Sequence, residues 1–166
     1  MFKPNMKLHR VTDISVELCK NKNIKAIVLD VDNTLSTHHG MTLVDGLTDW
    51  INKMQENGIK LIVLSNSKER RVKPFAEKIG LSYVSLGCKP LPFSYFKVKK
   101  MLSLKRKEIV AVGDQIFTDV LGAKIFGIKI ILTDLILAED KPSFILRRKI
   151  ERFLLKKMKV ENGYGC

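Results

Sequence analysis

The segment Asp30-Val31-Asp32-Asn33-Thr34 decides how this chain is interpreted, because it places two carboxylates and a hydroxyl directly after an apolar run. The apolar run covers residues 24–29, with the sequence IKAIVL. A short apolar run that ends in acidic residues is typical of a buried parallel strand whose carboxyl end meets a ligand-binding crevice. We therefore predict a functional site at the end of this strand.

Strand and helix signals alternate along the remainder of the chain. Further strands are predicted at residues 59–64, 81–86, 108–112 and 128–132, and helices at about 47–57, 72–79, 92–101 and 118–126. Such alternation favours a mainly parallel central sheet with helices on both faces. We therefore predict an α/β fold of the Rossmann-like, three-layer α/β/α kind. Residues 1–166 contain neither a repeat nor a low-complexity linker, which predicts a single domain.

A polar or charged residue follows each of the first four predicted strands. Asp30 and Asp32 follow the first strand, Ser65 the second, Lys89 the third and Asp114 the fourth. Because parallel strands all end at the same edge of a sheet, these side chains are expected to converge on one pocket. Separate segments of the chain would then supply a single site.

The residue types in this pocket suit phosphoryl transfer. The carboxylates of Asp30, Asp32 and Asp114 repel one another, so they need a cation between them, and hard oxygen ligands favour Mg²⁺. A bound cation also offsets the charge of an incoming phosphate, which allows a carboxylate to attack phosphorus. Ser65 can donate a hydrogen bond to a phosphoryl oxygen, and Lys89 supplies a positive charge.

The polar residues form four motifs in a definite order. They are Asp30-x-Asp32-x-Thr34, Ser65, Lys89-Pro90 and Gly113-Asp114-Gln115-x-x-Thr118-Asp119. This set resembles the haloacid dehalogenase (HAD) superfamily. More narrowly, residues 30–35, 65–72 and 112–122 resemble the YqeG type of HAD subfamily IIIA phosphatases, which is related to mitochondrial phosphatidylglycerophosphate phosphatases. The resemblance extends from Phe2 to about Arg148.

The resemblance implies a role for each motif residue. Asp30 would form an aspartyl phosphate, and Asp32 would act as general acid and then as general base for the hydrolytic water. Mg²⁺ would be held by Asp30, by the backbone carbonyl of Asp32 and by Asp114. The phosphate would be bound by Ser65, Asn66 and Lys89. Thr34 and Asp119 would position the residues that contact the metal and the phosphate, with Asp119 orienting metal-bound water or Lys89.

The chain has no room for the cap domain from which HAD enzymes usually draw their selectivity. Between Thr34 and Ser65 the sequence predicts one helix and one strand, and the same holds between Ser65 and Lys89. We therefore predict a capless enzyme with an open site. An open site admits a phosphate attached to something large, such as a protein, a nucleic-acid end or a lipid head group.

The charge balance narrows the classes of partner. The chain has 30 Lys and Arg residues against 17 Asp and Glu residues, which is a formal net charge of +13. Such an excess favours nucleic acid, an anionic membrane surface or phosphorylated substrates. The 45% hydrophobic content argues against disorder, and no apolar run is long enough to span a bilayer. The three cysteines lack metal-binding spacing and are predicted to be reduced thiols in a cytoplasmic protein.

A basic amphipathic helix is predicted at about residues 143–159. Its apolar residues fall near one side and its basic residues gather opposite them. The apolar set is Leu146, Ile150, Phe153, Leu154 and Met158, and the basic set is Arg148, Lys149, Arg152, Lys156 and Lys159. Such a helix can lie at an anionic membrane interface, which predicts a peripheral position on the inner face of the membrane. Packing on the sheet, with the charges in solvent, is an equal alternative.

The leading hypothesis is a Mg²⁺-dependent phosphatase that converts phosphatidylglycerophosphate to phosphatidylglycerol, and this lipid substrate rests on the family resemblance. A second hypothesis is a HAD phosphatase for nucleic-acid ends, nucleotides or phosphoproteins, although we rank nucleic acid below a lipid head group as partner. A third is a non-enzymatic module that binds anions or membranes and keeps the acidic pocket as a structural metal site.

Overall fold

Six parallel strands form the centre of the protein in a computed structural model, which describes residues 3–37, 41–136, 142–158 and 160. The strands are β1 (Met6–Leu8), β2 (Ala26–Leu29), β3 (Lys60–Leu64), β4 (Ser82–Val84), β5 (Ile109–Gly113) and β6 (Lys129–Thr133). They lie in the order β1-β6-β5-β2-β3-β4, and every neighbouring pair is parallel.

Within the described residues, α-helices connect or flank these strands. They are α1 (Val16–Asn21), α2 (Leu47–Glu56), α3 (Glu69–Lys78), α4 (Phe93–Leu102), α5 (Leu121–Phe126) and α6 (Pro142–Lys157). A turn of π-helix, Ile116–Val120, precedes α5. Helix α1 begins where the Ser15 hydroxyl accepts a hydrogen bond from the Leu18 N–H at 3.0 Å, which satisfies a donor left open at the helix start.

The two faces of the sheet are covered by different helices. Successive residues of a strand point to opposite faces, so Ile27 and Leu29 pack with α1, α2 and α3, whereas Ala26 and Val28 pack with α4 and α5. Fully burying one large apolar side chain contributes about 1.5–3 kcal/mol, so these two cores are the main source of stability. The predicted three-layer α/β/α fold is confirmed.

The order of the strands reverses next to β2. The chain first builds β3 and β4 on one side of β2 and then returns to build β5 and β6 on the other side. Ligands of open α/β sheets bind at such a reversal, beyond the carboxyl ends of the strands that flank it. Asp30 and Asp114 directly follow the flanking strands, β2 and β5. Among the described residues, α2 is the helix between β2 and β3 and α3 the helix between β3 and β4, so no cap domain is inserted.

The sequence pattern does not predict β1 or α1. These elements have three and six residues, so neither is long enough to display a repeat of apolar positions. Tertiary contacts stabilise both elements, because β1 pairs with β6 and the Trp50 indole N–H donates to the Ile14 carbonyl at 2.8 Å, just before α1. The helix predicted at residues 118–126 begins instead as the π-helical turn at Ile116.

Helix α6 packs on the core through Leu154 and Leu155, but it also buries a residue that the sequence pattern assigns to solvent. Arg148 and Glu151 are buried, while Leu146 and Ile150 are exposed. The expectation of a solvated Arg148 is therefore wrong. The physical reason is that its guanidinium donates to both the carbonyl and the carboxylate of Asp114, and also to Glu151.

The remaining expectations concern thiols and membrane spans. Cys19 is buried and Cys88 is exposed, and both are free cysteines among the described residues. Cys166 and Lys159 lie outside the described residues. In the part of the chain that the structure describes, no helix combines the length and the apolar content needed to cross a membrane.

Candidate active site

Buried charged residues meet beyond the carboxyl ends of β2, β4 and β5. Lys89, in the loop after β4, places its Nζ 2.6 Å from Asp30 Oδ1 and 2.6 Å from Asp119 Oδ1. Carboxylate oxygens of Asp30, Asp114 and Asp119 lie within 4.8 Å of one another. The structure thus brings together Asp30, Lys89 and Asp114, as expected of parallel strand ends, and Asp119 joins them from the π-helical turn.

The side chain of Asn66 holds the backbone on both sides of the Lys89 residue. Its Oδ1 accepts from the Lys89 N–H at 2.7 Å, and its Nδ2 donates to the Lys89 carbonyl at 3.0 Å. Asn66 follows β3 closely, so these two bonds tie the loop after β4 to the loop after β3. The oxygen and the nitrogen of the Asn66 side-chain amide are therefore both hydrogen-bonded to the Lys89 backbone.

The acidic cluster has the properties of a cation site. Asp30, Asp114 and Asp119 are all buried, and Asp114 Oδ1 has no hydrogen-bond partner among the described residues. A buried carboxylate oxygen without a partner is costly, and a bound cation would satisfy it. Hard oxygen donors are the ligands that Mg²⁺ prefers. The residues present therefore fit a divalent cation at this position.

The number of buried charges at this edge of the sheet also agrees with a divalent cation in the acidic cluster. The buried carboxylates of the described residues here are Asp30, Asp114, Asp119 and Glu151, and the buried cations are Lys89 and Arg148. If all of them are ionised, two negative charges lack a counter-charge. A single divalent cation would balance the cluster.

The surroundings shift the pKa values of the cluster. Burial raises the pKa of Asp30 to about 7, while the Lys89 ammonium opposes this rise and the charge of Asp119 adds to it. Burial also raises the pKa of Asp114, against the opposing effect of Arg148. Burial by itself lowers the pKa of Lys89, but the Asp119 and Asp30 carboxylates outweigh it and raise this pKa. A bound cation would favour the ionised form of the carboxylates.

Gly113 at the end of β5 makes the position of Asp119 possible. A Cβ atom added to Gly113 would lie 2.3 Å from Asp119 Cγ, far inside van der Waals contact. Asp119 Oδ2 accepts from the Gln115 N–H at 3.2 Å, while its other oxygen accepts from Lys89. Asp119 is therefore fixed by contacts to the turn, to the strand and to the lysine.

Helix α6 contributes two residues that the motif analysis does not assign to the site. Arg148 donates to the Asp114 carbonyl at 2.9 Å and forms an ion pair with Asp114 Oδ2. Glu151 pairs with Arg148 at 2.9 Å and accepts from the Ile116 and Phe117 N–H groups at 2.9 and 3.3 Å. The sequence signal is an Arg and a Glu three residues apart on a helix, which is too common to identify a site.

Asp32 lies beside the cluster and is held by Arg71 of α3. Arg71 binds both carboxylate oxygens of Asp32, with Arg71 Nη1 at 2.7 Å from Asp32 Oδ2. Arg71 also donates to Ser67 Oγ at 2.9 Å. The Asp32 carboxylate is thus engaged in a bidentate ion pair that the sequence analysis does not predict, although Arg71 falls within the motif segment 65–72.

Two buried hydroxyl groups lie beyond strand ends at the same edge of the sheet. Ser65 is buried, and its Oγ accepts from the Ser67 N–H at 3.1 Å, which leaves the Ser65 proton available for a ligand. Thr34 is also buried, and its Oγ1 has no hydrogen-bond partner among the described residues. Thr34 is in the loop that follows β2, and Ser65 is in the loop that follows β3.

Comparison with known proteins agrees with this geometry. The family model described as mitochondrial PGP phosphatase matches residues 1–137, a range that contains the whole acidic cluster. The chain belongs to this family. It is therefore a phosphatase of the HAD type, related to the PGP phosphatases, as its motifs predict.

Two relatives show how far the family likeness extends. The chain is 34% identical over 160 residues to "Probable phosphatase YqeG" of Bacillus subtilis, covering 95% of this chain and 92% of the relative. It is 27% identical over 165 residues to "Phosphatidylglycerophosphate phosphatase 1, chloroplastic/mitochondrial" of Arabidopsis thaliana, covering 93% of this chain and 47% of that protein.

Solved structures support the fold. A Legionella pneumophila protein described as a HAD superfamily, subfamily III A, hydrolase has a TM-score of 0.51 at 20% identity, with coverage of 79% of this chain and 77% of that one. Deoxy-D-mannose-octulosonate 8-phosphate phosphatase from Haemophilus influenzae has a TM-score of 0.50 at 18% identity, with coverage of 82% and 90%. At these identities the likeness establishes the fold alone.

Proposed function

We propose that this protein hydrolyses phosphatidylglycerophosphate with Mg²⁺, through an aspartyl phosphate formed on Asp30. The observation that carries the proposal is the contact of Asp30 with Lys89 inside a buried cluster that is short of positive charge. Burying poorly compensated carboxylates destabilises a protein, and such arrangements concentrate at catalytic sites. We also propose that residues 1–166 act as a single catalytic domain.

Asp30, Asp114 and the backbone carbonyl of Asp32 would hold the Mg²⁺ ion. When bound, the ion supplies positive charge that offsets the carboxylates and the substrate phosphate. Asp119 serves the site by holding Lys89 through the 2.6 Å contact between them. Arg148 serves it by holding one Asp114 oxygen, which leaves Asp114 Oδ1 for the ion.

The reaction needs a nucleophile and a proton donor. An oxygen of the Asp30 carboxylate forms the new bond to phosphorus while the bond from phosphorus to the ester oxygen breaks. Asp32, in its protonated form, gives its proton to the departing ester oxygen. Asp32 then takes a proton from water, which attacks the phosphorus, releases Asp30 and yields inorganic phosphate.

Arg71 must release Asp32 before Asp32 can act as an acid. The Arg71 side chain is 24% exposed, so it has access to a ligand entering from solvent. A phosphate is a strong competing partner for a guanidinium, because the two form paired, charge-assisted hydrogen bonds. We infer that the arrival of the substrate phosphate draws Arg71 away and frees the Asp32 carboxyl group.

The phosphate would be bound by Ser65 and Lys89. Ser65 donates its hydroxyl proton, and the Lys89 ammonium supplies the positive charge. Asn66 assists by holding the Lys89 backbone through the two hydrogen bonds described above. Thr34 supports the loop of Asp30 and Asp32 from a buried position.

A lipid head group is the favoured substrate class for three reasons. The Arabidopsis relative is named as a phosphatidylglycerophosphate phosphatase. The site has no inserted cap among the described residues, which suits a phosphate attached to a large structure. The net charge of +13 favours an anionic surface. We accordingly propose a cytoplasmic protein that acts peripherally at the inner face of the membrane.

The test uses the purified chain with Mg²⁺ and four substrates. They are phosphatidylglycerophosphate in anionic vesicles, a nucleotide, a 5′-phosphorylated oligonucleotide and a phosphopeptide. Asp30→Asn should lower phosphate release by at least about 1,000-fold, since it removes the nucleophile. Asp134→Asn is the matched control, because Asp134 also follows a strand but pairs with Lys7 at 2.7 Å in a partly exposed position.

The outcomes separate the hypotheses. Release from vesicles that requires Asp30 supports the proposal. Equal rates for Asp30→Asn and the parent chain would show that Asp30 is not the nucleophile. Release from the oligonucleotide, the nucleotide or the phosphopeptide but not from vesicles would overturn the lipid substrate. An absence of release from all four substrates would favour a non-enzymatic binding module.

A further inference from the structure

The loop after β4 exposes large apolar side chains beside a buried charge. Lys89 is buried in the site, whereas Leu86 is 59% exposed, Leu91 is exposed and Phe93 is 72% exposed. Leu86 has a φ of +49°, in the left-handed region that disfavours side chains other than glycine. The loop therefore keeps an exposed leucine at a position where glycine would be less strained.

Two further segments show the same combination. In the π-helical turn, Asp119 is buried in the site and Phe117, two residues earlier, is exposed. In α6, Arg148 is buried against Asp114, while Leu146 is 62% exposed and Ile150 is exposed. We call these exposed residues the apolar rim: Leu86, Leu91, Phe93, Phe117, Leu146 and Ile150.

Each segment that carries the apolar rim also has a residue in contact with the cluster, which places these segments at the same edge of the sheet as the site. Lys89 contacts Asp30, and Arg148 contacts Asp114. The Phe117 N–H donates to Glu151, so the π-helical turn and α6 lie against each other. Clustered exposure of large apolar side chains around a site is uncommon on a monomer surface and marks a docking region.

The loop after β3, at the same edge of the sheet, leads into exposed positive charge. Lys68 and Arg70, at the start of α3, are exposed, and so are Lys149 and Arg152 on α6. Apolar side chains bordered by cations fit an anionic phospholipid bilayer. The apolar groups enter the boundary between head groups and acyl chains, while the cations attract lipid phosphates.

Other occupants fit the surface less well. Two copies of the chain facing each other through the rim would bring like charges together, since each copy has a net charge of +13. Nucleic acid would pair with the cations but offers no apolar environment for leucine and isoleucine side chains.

We propose that the apolar rim docks this protein on an anionic bilayer, so that the mouth beside Asp30 faces the surface from which a phosphorylated lipid is taken. This inference deepens the proposed function and rests on it. Docking at the mouth removes the need for the lipid to leave the bilayer completely, because its phosphate projects from the surface toward the site.

The experiment compares vesicle binding by variants of the full chain. One variant carries Leu91→Ser with Phe93→Ser, and another carries Leu146→Ser with Ile150→Ser. The matched control carries Met101→Ser with Ile125→Ser, because these residues are 48% and 54% exposed but lie late in α4 and α5, away from the site. Flotation is measured with phosphatidylglycerol vesicles and with neutral phosphatidylcholine vesicles, and circular dichroism checks folding.

Each rim variant should bind phosphatidylglycerol vesicles at least about tenfold more weakly than the parent, and the control should bind like the parent. The ratio of lipid hydrolysis in vesicles to hydrolysis of p-nitrophenyl phosphate in solution should fall in the rim variants only. Equal vesicle binding by the rim variants and the control would overturn the docking surface. So would loss of self-association, instead of vesicle binding, in the rim variants.

The same experiment distinguishes failure of docking from failure of the proposed function. Flotation does not require turnover, so it can be measured with Asp30→Asn. If the parent floats through the rim but releases no phosphate from lipid, the docking surface stands and the proposed substrate is wrong. If the parent hydrolyses vesicle lipid and the rim variants do so at an unchanged ratio, the substrate stands and the docking surface is wrong.

Discussion

The two edges of the central sheet carry charged residues in opposite ways. At the amino edge, Lys60 and Lys129 begin β3 and β6, and their ammonium groups donate to the carbonyls of Leu102 and Lys22 at 3.1 and 3.2 Å. Lys60 remains exposed, and the buried Glu108 carboxylate at this edge is paired with the Lys25 ammonium at 2.6 Å. At the carboxyl edge, Asp30, Lys89, Asp114, Asp119 and Arg148 are all buried.

The difference shows that the stability of the fold does not explain the buried charges of the carboxyl edge. Partly solvated charges keep much of their hydration, so surface pairs contribute about 0–1 kcal/mol. Buried charges lose that hydration, and an imperfect balance among them destabilises the protein by several kcal/mol. The carboxyl edge therefore contains a cluster that core packing does not require, which is the behaviour expected of a site that binds a cation and a phosphate.

Removing a cation from each edge should give the largest contrast. Arg148→Met leaves Asp114 and Glu151 without their buried counter-charge, so unfolding of the metal-free protein should become easier by about 3 kcal/mol. Lys60→Met is the matched control, and its exposed position predicts a change within about 0.5 kcal/mol. Urea unfolding measures both values, and similar losses at the two edges would contradict the comparison.

Arg148 should also affect the cation directly. Because it holds one oxygen of Asp114, Arg148→Met should weaken Mg²⁺ binding by about tenfold in titration calorimetry. Arg148→Lys keeps the positive charge but cannot form both hydrogen bonds to the Asp114 carbonyl and carboxylate. It should therefore restore stability more fully than it restores Mg²⁺ affinity. Tighter Mg²⁺ binding by Arg148→Met would instead identify Arg148 as a competitor of the cation.

A methyl group at the end of β5 should have a somewhat smaller effect. Gly113→Ala places a Cβ atom 2.3 Å from Asp119 Cγ, so Asp119 must move away from Lys89. We expect a loss of about 1–3 kcal/mol in urea unfolding and weaker Mg²⁺ binding. Gly87→Ala is the control for crowding alone, because its added Cβ would lie 2.9 Å from the Leu64 side chain and 3.2 Å from the Ser65 carbonyl but does not meet Asp119. Equal effects of the two substitutions would argue against a specific role for Gly113.

The smallest effect is expected at the amino edge, from Glu108→Gln. Hydrogen bonds from the Lys25 ammonium and from the Lys105 N–H lower the pKa of Glu108 below its usual value of 4.5. A lowered pKa in the folded state stabilises the protein above the usual pKa, and this contribution disappears as the pH falls through the lowered value.

Thermal melting tests that sign. The parent should melt slightly above Glu108→Gln at pH 7, and the difference should shrink as the pH falls below 4.5. A difference that grows on acidification would show that the carboxylate of Glu108 is not the stabilising form.

Much of the site could be predicted from the sequence, because its main residues follow strands. Once the strands at Asp30, Lys89 and Asp114 are recognised as parallel, their ends must meet at one edge, whatever the details of packing. Asp119 follows from its spacing to Asp114. The continuous apolar runs likewise predict strands that are buried on both faces of the sheet, since such a run is a local property of the sequence.

Other parts of the site could not be predicted in this way. Arg71 and Arg148 each lie on a helix among several basic residues, and nothing in the local sequence distinguishes them from their solvated neighbours. Their partners, Asp32 and Asp114, are 39 and 34 residues away along the chain. A contact of that kind depends on where the helix packs in the fold. The periodicity of apolar residues along the helix carries no information about that position.

By itself, the sequence determined the reaction class and the sheet that supports it, because short apolar runs and the residue types that follow them are local properties. The tertiary structure alone decided that α6 turns Arg148 and Glu151 inward and leaves Leu146 and Ile150 exposed. The physical reason is that Asp114 and the N–H groups of the π-helical turn need buried partners. Satisfying these polar groups outweighs burial of Leu146 and Ile150.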